Sequence, residues 1–370
     1  LKNAMKNGDK QTGGHTVQVC GLSECLEKVR DQSDWTAKRS ANSGSDKLTG
    51  MGVSAFSHIC GLLSTGAIVR LAEDGSIVLS TGAVDYGQGS DTVLAQICSE
   101  ALQVDVGQVN FVAPDSDSSP YNWGTAASRT TYMVGRAVRD AALDVRDKIL
   151  KAAESMLEVN TADLELTAGG RVGIVGSDVS VSFFDVSMFS LYGAGGPIIG
   201  QSAMMYDGEP FDPKRTVMSG LPFSNLGIYL FGAHAVEVEV DETTGKANVA
   251  RAWLAHDVGK AINPSAVEGQ IQGGFAQGLG YALHEELVWD GGRLVNPSFM
   301  DYKIPGANDV PYEIHPIIVE NPEPTGPFGA RGIGEPGLVG VAPAVANAVF
   351  NATNIRVRSL PLTSEKILTK

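Results

Sequence analysis

The chain has 370 residues, 43% of them hydrophobic and 19% charged, with 44 glycines and a formal net charge of −14. That length and apolar content suffice for a large core, divided between two subdomains, while the acidic balance argues against nucleic-acid and anionic-membrane partners. No apolar run reaches the roughly 18 residues of a membrane span and no signal-peptide pattern is read, so a soluble cytoplasmic protein is the default expectation.

Residues 1–60 are polar and read as a connector and helix leading from a missing N-terminal half. The helix candidate is Leu22–Arg39, with Leu26, Val29 and Trp35 on its apolar side. The chain opens on Leu1 rather than Met, as expected of a fragment, a processed product or a piece of a larger subunit. Cys20-x4-Cys25 matches the opening of a plant-type iron–sulfur run but lacks the C-x2-C continuation. Cys20, Cys25, Cys60 and Cys98 are therefore expected as buried, reduced thiols. The six histidines are scattered, without an HExxH pair, so no metal ligated by protein side chains is expected.

Residues 61–232 form the first expected subdomain. Ala67–Leu71 and Ile77–Ser80 pair across a turn at Asp74-Gly75. The second strand runs into Gly82–Gly89, and a helix follows from Asp91 to Leu102 with Val93, Leu94, Ile97, Cys98 and Ala101 on one face. A strand at Gln108–Val112 leads to Gly124–Thr130 and then to a long helix from Thr131 to about Glu158. Residues 165–230 are rich in Gly, Ser and Phe and read as irregular, a stretch that wraps a partner or shapes a pocket.

Residues 233–370 form the second. Val236, Val238 and Val240 alternate into a hairpin that turns at Thr244-Gly245 and returns through Ala247–Ala255. Asn263-Pro264 caps a helix carrying Val267, Ile271, Phe275, Leu279 and Leu283. Tyr302–Pro305 is expected as a strand edge, and Ala342–Asn351 as the last helix. Hairpins and helices mixed without regular strand–helix alternation indicate an α+β fold of mixed sheets with packed helices.

Three glycine-rich turns stand before helices: Gly87–Gly89, Gly124–Thr130 and Gly332–Gly337. Helix N-termini offer unpaired N–H groups suited to phosphates or other anions, and Gln88, Thr125, Ser128 and Thr130 add amide and hydroxyl groups. The set fits a large, phosphate-bearing cofactor gripped mainly by main-chain donors. Neither a Rossmann G-x-G-x-x-G nor a Walker loop is present. In the last turn Glu335 is one carboxylate among glycines, placed either as a general base in a cofactor-filled pocket or as a solvated side chain on a tight turn. Gln277 sits among Gly273, Gly274 and Gly278 inside a helix, where glycines mean close approach of another helix or of a ligand.

Taken in order, these segments resemble the C-terminal half of the molybdenum-binding subunit of the xanthine dehydrogenase/aldehyde oxidase family. The matching stretches are Val84–Gly89, Thr125–Ser128, His256–Gly259 through Asn263-Pro264, Val267–Gln270 with Gln277-Gly278, Asp301–Pro305, and Gly334–Pro336. The likeness is nearest to the bacterial hydroxylase and 4-hydroxybenzoyl-CoA reductase branches. It implies a molybdopterin-binding fold, a molybdenum–molybdopterin cofactor in its cytosine dinucleotide form, and Glu335 as catalytic base. Gly87, Gln88, Gly89, Thr125, Ala126, Ala127, Ser128, Arg129, Thr130 and Gln277 would then bind the pterin and its nucleotide tail, with iron–sulfur clusters and FAD on other subunits.

The resemblance further implies oxidation of a heteroaromatic or aldehyde carbon with water as the oxygen source. The alternatives are a 4-hydroxybenzoyl-CoA reductase-like dehydroxylase or a non-catalytic structural subunit. The family's earlier glycine loop and Arg-rich turn are missing, so the chain supplies about half of a cofactor site. It calls for an N-terminal half, as a separate chain or as the rest of a longer one, together with an iron–sulfur subunit; an FAD subunit and a homodimer are compatible with it.

Overall fold

The computed structural model describes residues 1–10, 16–40, 47–61, 63–193, 195–205 and 228–368. Residues up to 59 contribute α1 (Leu22–Gln32), α2 (Trp35–Ser40) and β1 (Lys47–Ile59). Next come β2 (Ser64–Leu71), β3 (Ile77–Thr81), α3 (Ser90–Leu102), β4 (Val109–Val112), α4 (Gly135–Leu157), β5 (Leu164–Thr167), β6 (Arg171–Ile174), β7 (Ser180–Ser182), α5 (Phe183–Tyr192) and β8 (Ile199–Met205). The remainder holds β9 (Tyr229–Asp241), β10 (Ala247–Asp257), α6 (Pro264–Leu283), β11 (Trp289–Asp290), β12 (Arg293–Leu294), β13 (Glu313–Val319), α7 (Pro336–Val339), α8 (Val341–Thr353) and α9 (Ser364–Leu368). The chain divides into two compact units: Leu1–Ile59 with Ile228–Pro322 and Ile333–Lys370, and Cys60–Gly227 with Glu323–Gly332.

In the first unit the strands run in the order β1-β9-β10-β13. β1 and β9 pair antiparallel over their full length, from Lys47↔Asp241 to Ile59↔Tyr229. β9 and β10 form the expected hairpin, whose turn is closed by Asp241 Oδ1 accepting from the N–H groups of Thr243 and Thr244. β13 lies parallel to β10. Period-two alternation separates the two faces of the sheet. Leu230, Val236, Val238, Ala252 and Leu254 pack under α6 and α8 with Ile271, Phe275, Leu279, Val345 and Val349. Met51, Ala233, Ala235, Trp253 and Ile317 face Cys25 and Val29 of α1. The start of α1 is tied down by the buried Asp257, whose Oδ2 accepts from Gly21 N–H at 2.9 Å.

The helix expected over Leu22–Arg39 is two helices, because Asp34 adopts a left-handed conformation (φ 53°) between them. Gly50 and Gly52 share one face of β1 and let α8 touch the strand main chain to main chain. A Cβ on Gly52 would stand 2.0 Å from Ala344 O and 2.3 Å from Ala348 N.

The second unit has a four-stranded sheet, order β4-β3-β2-β8, in which β3 and β4 are parallel and the other pairs antiparallel. α4 lies on β8, where Gly200 leaves no room for a Cβ beneath Ala141 O and Val145. α4 begins four residues later than expected, because Thr130–Val134 winds as one wider π turn before it. Within 165–205, read as irregular, the described residues form a β5-β6-β7 antiparallel sheet, then α5, then β8. Its strands have three to seven residues and carry few buried side chains, so no apolar period stands out. The clearest local signal there is the reciprocal cap of α5, in which Ser182 Oγ accepts from Asp185 N–H and Asp185 Oδ2 accepts from Ser182 N–H. The rest of that reading, residues 206–227, lies outside the described residues.

Gly52→Ala is expected to lower stability by about 1–3 kcal/mol, since the methyl group meets main-chain atoms that cannot swing away. Gly269→Ala, in α6 with nothing within 4 Å of a built Cβ, is expected to be neutral or stabilising by up to about 1 kcal/mol. Urea midpoints for both variants check the pair; equal midpoints would contradict the packing argument.

Candidate functional site

In the second unit the turn between β3 and α3 is laced by its own side chains. Asp85 accepts from the N–H groups of Gly87 (2.8 Å), Gly89 (3.3 Å) and Asp91 (3.2 Å). Burial works to raise the Asp85 carboxyl, yet the backbone donors of Gly87, Asp91, Gly89 and Ser90 together hold it below its ordinary value. The helix-start donors expected to meet an outside anion are thus already engaged by Asp85. Gln88 uses its amide the same way: Oε1 accepts from Tyr86 N–H, and Nε2 donates to Val84 O and Ser90 Oγ. What the turn presents outward is glycine surface. Gly87 (φ 112°) and Gly89 (φ 81°) hold left-handed conformations with nothing within 4 Å of a built Cβ. A flat group can therefore lie directly on this main chain.

The loop 122–130 adjoins that turn. Thr125 Oγ1 both accepts from Val84 N–H and donates to Val84 O. Ala127 and Ser128 hold left-handed conformations (φ 54° and 47°) and are buried, Ala126 is exposed, and Thr130 is half-buried. Arg129 is fully buried; its guanidinium donates to Asn122 Oδ1, Gly124 O and Ser64 O. Burial brings Arg129 down to about 10, which leaves it charged at neutral pH. Its role is to fix the loop from inside.

Cys60, expected only as a buried thiol, and Glu323, Thr325 and Tyr132, not singled out in the sequence, complete this layer. Cys60 Sγ donates to Ser128 O (3.3 Å) and accepts from Gly332 N–H (3.0 Å). Glu323 pairs with Arg331 and accepts from Thr325 Oγ1 (2.7 Å), which meets Tyr132 OH at 2.9 Å. Cys25, Cys60 and Cys98 are buried thiols and Cys20 is half-buried; burial pushes Cys98 up to about 12, which makes it a poor nucleophile.

In the first unit Glu335 stands at the start of α7, its side chain 46% exposed. Its backbone is fixed from behind. Gly274 of α6 meets Gly337 so closely that a Cβ there would lie 2.8 Å from Gly337 Cα, and Gly278 is closed off by Val341. Close helix packing therefore accounts for Gly274 and Gly278, while Gln277 lies exposed on α6. Tyr302–Pro305, expected as a strand edge, is a turn and loop in which Tyr302 OH donates to Glu285 Oε2.

One further side chain, His58, stands near Glu335. His58 Nε2 lies 3.7 Å from Glu335 Oε2, and His58 Nδ1 lies 2.6 Å from Ile59 O. Below them His234 and His256 are fully buried, Nε2 to Nε2 at 3.1 Å, with Phe56 edge-on to both. His256 Nδ1 faces Leu254 O, which assigns its proton to Nδ1; His234 then donates through Nε2 and keeps a bare Nδ1, the atom without a partner. Burial, with His256 adding to it, drives His234 well below its ordinary value, and burial brings His256 to about 4 against the backbone of Leu254 and Pro336.

The model of the molybdopterin cofactor-binding domain matches residues 28–311. The chain is 33% identical over 381 residues to a putative xanthine dehydrogenase molybdenum-binding subunit of Escherichia coli, covering 99% of this chain and 48% of that protein. It is 33% identical over 354 residues to the gamma subunit of a 6-hydroxypseudooxynicotine dehydrogenase complex of Paenarthrobacter nicotinovorans, covering 94% and 43%. The crystal structure of quinoline 2-oxidoreductase from Pseudomonas putida superposes with a TM-score of 0.85 at 27% identity, covering 97% of this chain and 47% of that one. The chain thus spans about half the length of the relatives it matches.

The histidine pair sets an acid limit. Unfolded histidine titrates near 6.5, and the folded pair below that. Above about 6.5 the pair costs nothing; between about 6.5 and 4 the unfolded chain binds protons that the fold refuses, so stability falls as pH drops, by a few kcal/mol in total. The urea midpoint is expected to fall between about pH 7 and pH 5, and fall less in His256→Gln. An identical fall in both proteins would refute the assignment.

Proposed function

The chain belongs to the molybdopterin cofactor-binding domain family, and on that footing we propose that it forms half of a molybdenum hydroxylase centre with Glu335 as its base. The observation that carries this reading is a carboxylate left half exposed on a backbone clamped by Gly274–Gly337 contact. Such a group keeps its place while its carboxylate remains accessible to a proton donor from solvent.

The residues of the second unit fit a flat cofactor held by main chain. Gly87 and Gly89 open onto empty space, and Gly124 (φ 150°) does the same in the neighbouring loop. Gln88, Thr125 and the Ala126–Thr130 segment shape that surface; in the first unit Gln277 is exposed on α6. When bound, the molybdenum–pterin group supplies the two-electron redox chemistry and polarises a water-derived hydroxyl group. The protein's own step is proton transfer, in which a Glu335 carboxylate oxygen takes the proton of the hydroxyl that attacks the substrate carbon. The relatives named for quinoline and 6-hydroxypseudooxynicotine, with others named aldehyde oxidoreductases, favour a heteroaromatic or aldehyde substrate. We take the cofactor as the cytosine dinucleotide form.

The other half of the centre lies outside this chain, since relatives run to about twice its length. From Tyr281 to Tyr312 the first unit exposes Trp289, Phe299, Met300 and Ile304 on loops and two-residue strands. That much exposed apolar surface is what a partner covers. We assign it to the preceding half of the molybdenum subunit, with iron–sulfur and FAD subunits joining the complex.

Glu335→Gln in the full complex is expected to retain molybdenum and fold but lose turnover by 10²-fold or more, because an amide fills the same volume without accepting the proton. A variant keeping above about a tenth of the wild-type rate would refute the role. Absence of molybdenum from the intact wild-type complex would remove the whole reading.

Gln88→Ala removes one acceptor and two donated bonds from the β3–α3 turn. It is expected to lower the molybdenum and nucleotide content of the purified complex without shifting the unfolding midpoint by more than about 1 kcal/mol. Unchanged content would exclude Gln88 from the cofactor site.

A further inference from the structure

We propose that His58 is a positioning residue for Glu335, the group that takes over the proton Glu335 collects and returns the carboxylate to its ionised form. The inference rests on the reading of Glu335 as base. Its ground is the hydrogen-bond pattern of the imidazole. Ile59 O can only accept, so His58 Nδ1, 2.6 Å away, carries a proton. The neutral ring then has its lone pair on Nε2, the atom that faces Glu335 Oε2 at 3.7 Å. A bare nitrogen and an ionised carboxylate facing each other repel. One proton between them turns the repulsion into a charge-assisted N–H···O contact.

The pair is thus built to share a single proton. An isolated glutamate carboxylate holds protons nearly three pH units below neutrality, and imidazole holds them near neutrality. A base works best when its proton affinity lies near the working pH. Glu335 reaches outward, 46% exposed, while His58 stays behind it at 20%. In the proposed step a Glu335 carboxylate oxygen gains the proton. The O–H bond then breaks as an N–H bond forms at His58 Nε2, which leaves Glu335 ionised and His58 as imidazolium. No electrons are transferred, and the imidazolium later loses its proton to water. The nearby titratable groups on β9 and β10, His234 and His256, do not compete. They are fully buried and hydrogen-bonded to each other, with Phe56 packed edge-on against both.

β1 supplies the geometry. His58 is its penultimate residue, opposite Leu230 of β9, so the ring is carried by a paired strand rather than by a loop. The Nδ1 bond to the next residue's carbonyl fixes the tautomer locally.

The test uses the full complex in wild-type, His58→Gln and Glu335→Gln forms. The first measurement is independent of turnover: reaction of His58 with diethyl pyrocarbonate as a function of pH, read by peptide mass spectrometry. Only the neutral ring reacts, so the midpoint reports proton binding at Nε2. It is expected to move to lower pH in Glu335→Gln, which removes the facing negative charge. The second is the pH profile of kcat and KM. His58→Gln is expected to lower kcat about tenfold at neutral pH and to move the acidic limb, with KM unchanged. An unmoved midpoint overturns the proposal, and so does a His58→Gln enzyme with wild-type kcat and pH profile while Glu335→Gln is inactive. Full activity of Glu335→Gln sinks the base reading itself, a separate and distinguishable result.

Discussion

The candidate base depends on one steric constraint, the contact between Gly274 and Gly337. Any Cβ at Gly274 would stand 2.8 Å from Gly337 Cα, and one at Gly337 would meet Gln270 O at 3.1 Å. The main chain of α6 therefore sets the position of the main chain at α7, and Glu335 is two residues from that contact. A helix of four residues has little stability of its own; α7 keeps its shape because α6 and α8 leave it no alternative. Gly340, at the other end, is pressed on Phe56 and His234. Glycine costs about 1 kcal/mol in a helix interior, and here that cost yields main-chain contact, which no side-chain rotamer can loosen.

The second unit uses a different device for a similar end. Its exposed glycine turns are stiffened by polar side chains that point back into the chain. Asp85 gathers the N–H groups at the start of α3, Gln88 spans Val84 to Ser90, and Arg129 braces 122–129 from inside. Each satisfies backbone groups that a loop would otherwise leave to water. The outcome is a surface shaped by main chain, with Gly87, Gly89 and Gly124 open above it.

Much of this was legible in the sequence, for reasons particular to each element. Val236, Val238 and Val240 alternate because β9 buries one side chain in two under α6 and α8, and Asn263-Pro264 marks a helix start that the Asn263 side chain does cap. The α+β class follows from those signals. The stretch 165–205 was illegible because its strands are too short to show a period, although the Ser182–Asp185 cap lay in plain view. The site was legible only as a set of segments. The resemblance implies Gln88 and Arg129 as cofactor-binding residues, and in the fold both also bond to main-chain groups of their own loops. Asp85 had a readable signal, an acidic residue shortly before a helix start. His58 and Cys60 had none, because what distinguishes them is contact with residues some 270 positions away.

The contrast between fixed backbone and half-exposed side chain makes chemical sense for a candidate proton carrier. A general base must be placed to within a fraction of an ångström, yet must move its proton on after each turnover. Burying Glu335 fully would desolvate the carboxylate and favour its neutral form, which cannot act as a base. Leaving the turn loose would sacrifice placement. Clamping the main chain through glycine while the carboxylate stays about half exposed meets both demands. The buried His234–His256 pair lies on the other side of that choice: fully desolvated, it is held neutral and contributes packing and one hydrogen bond. Three of the four histidines of this sheet thus differ in depth, and of these three only His58, at the strand end, retains enough solvent contact to exchange a proton with water.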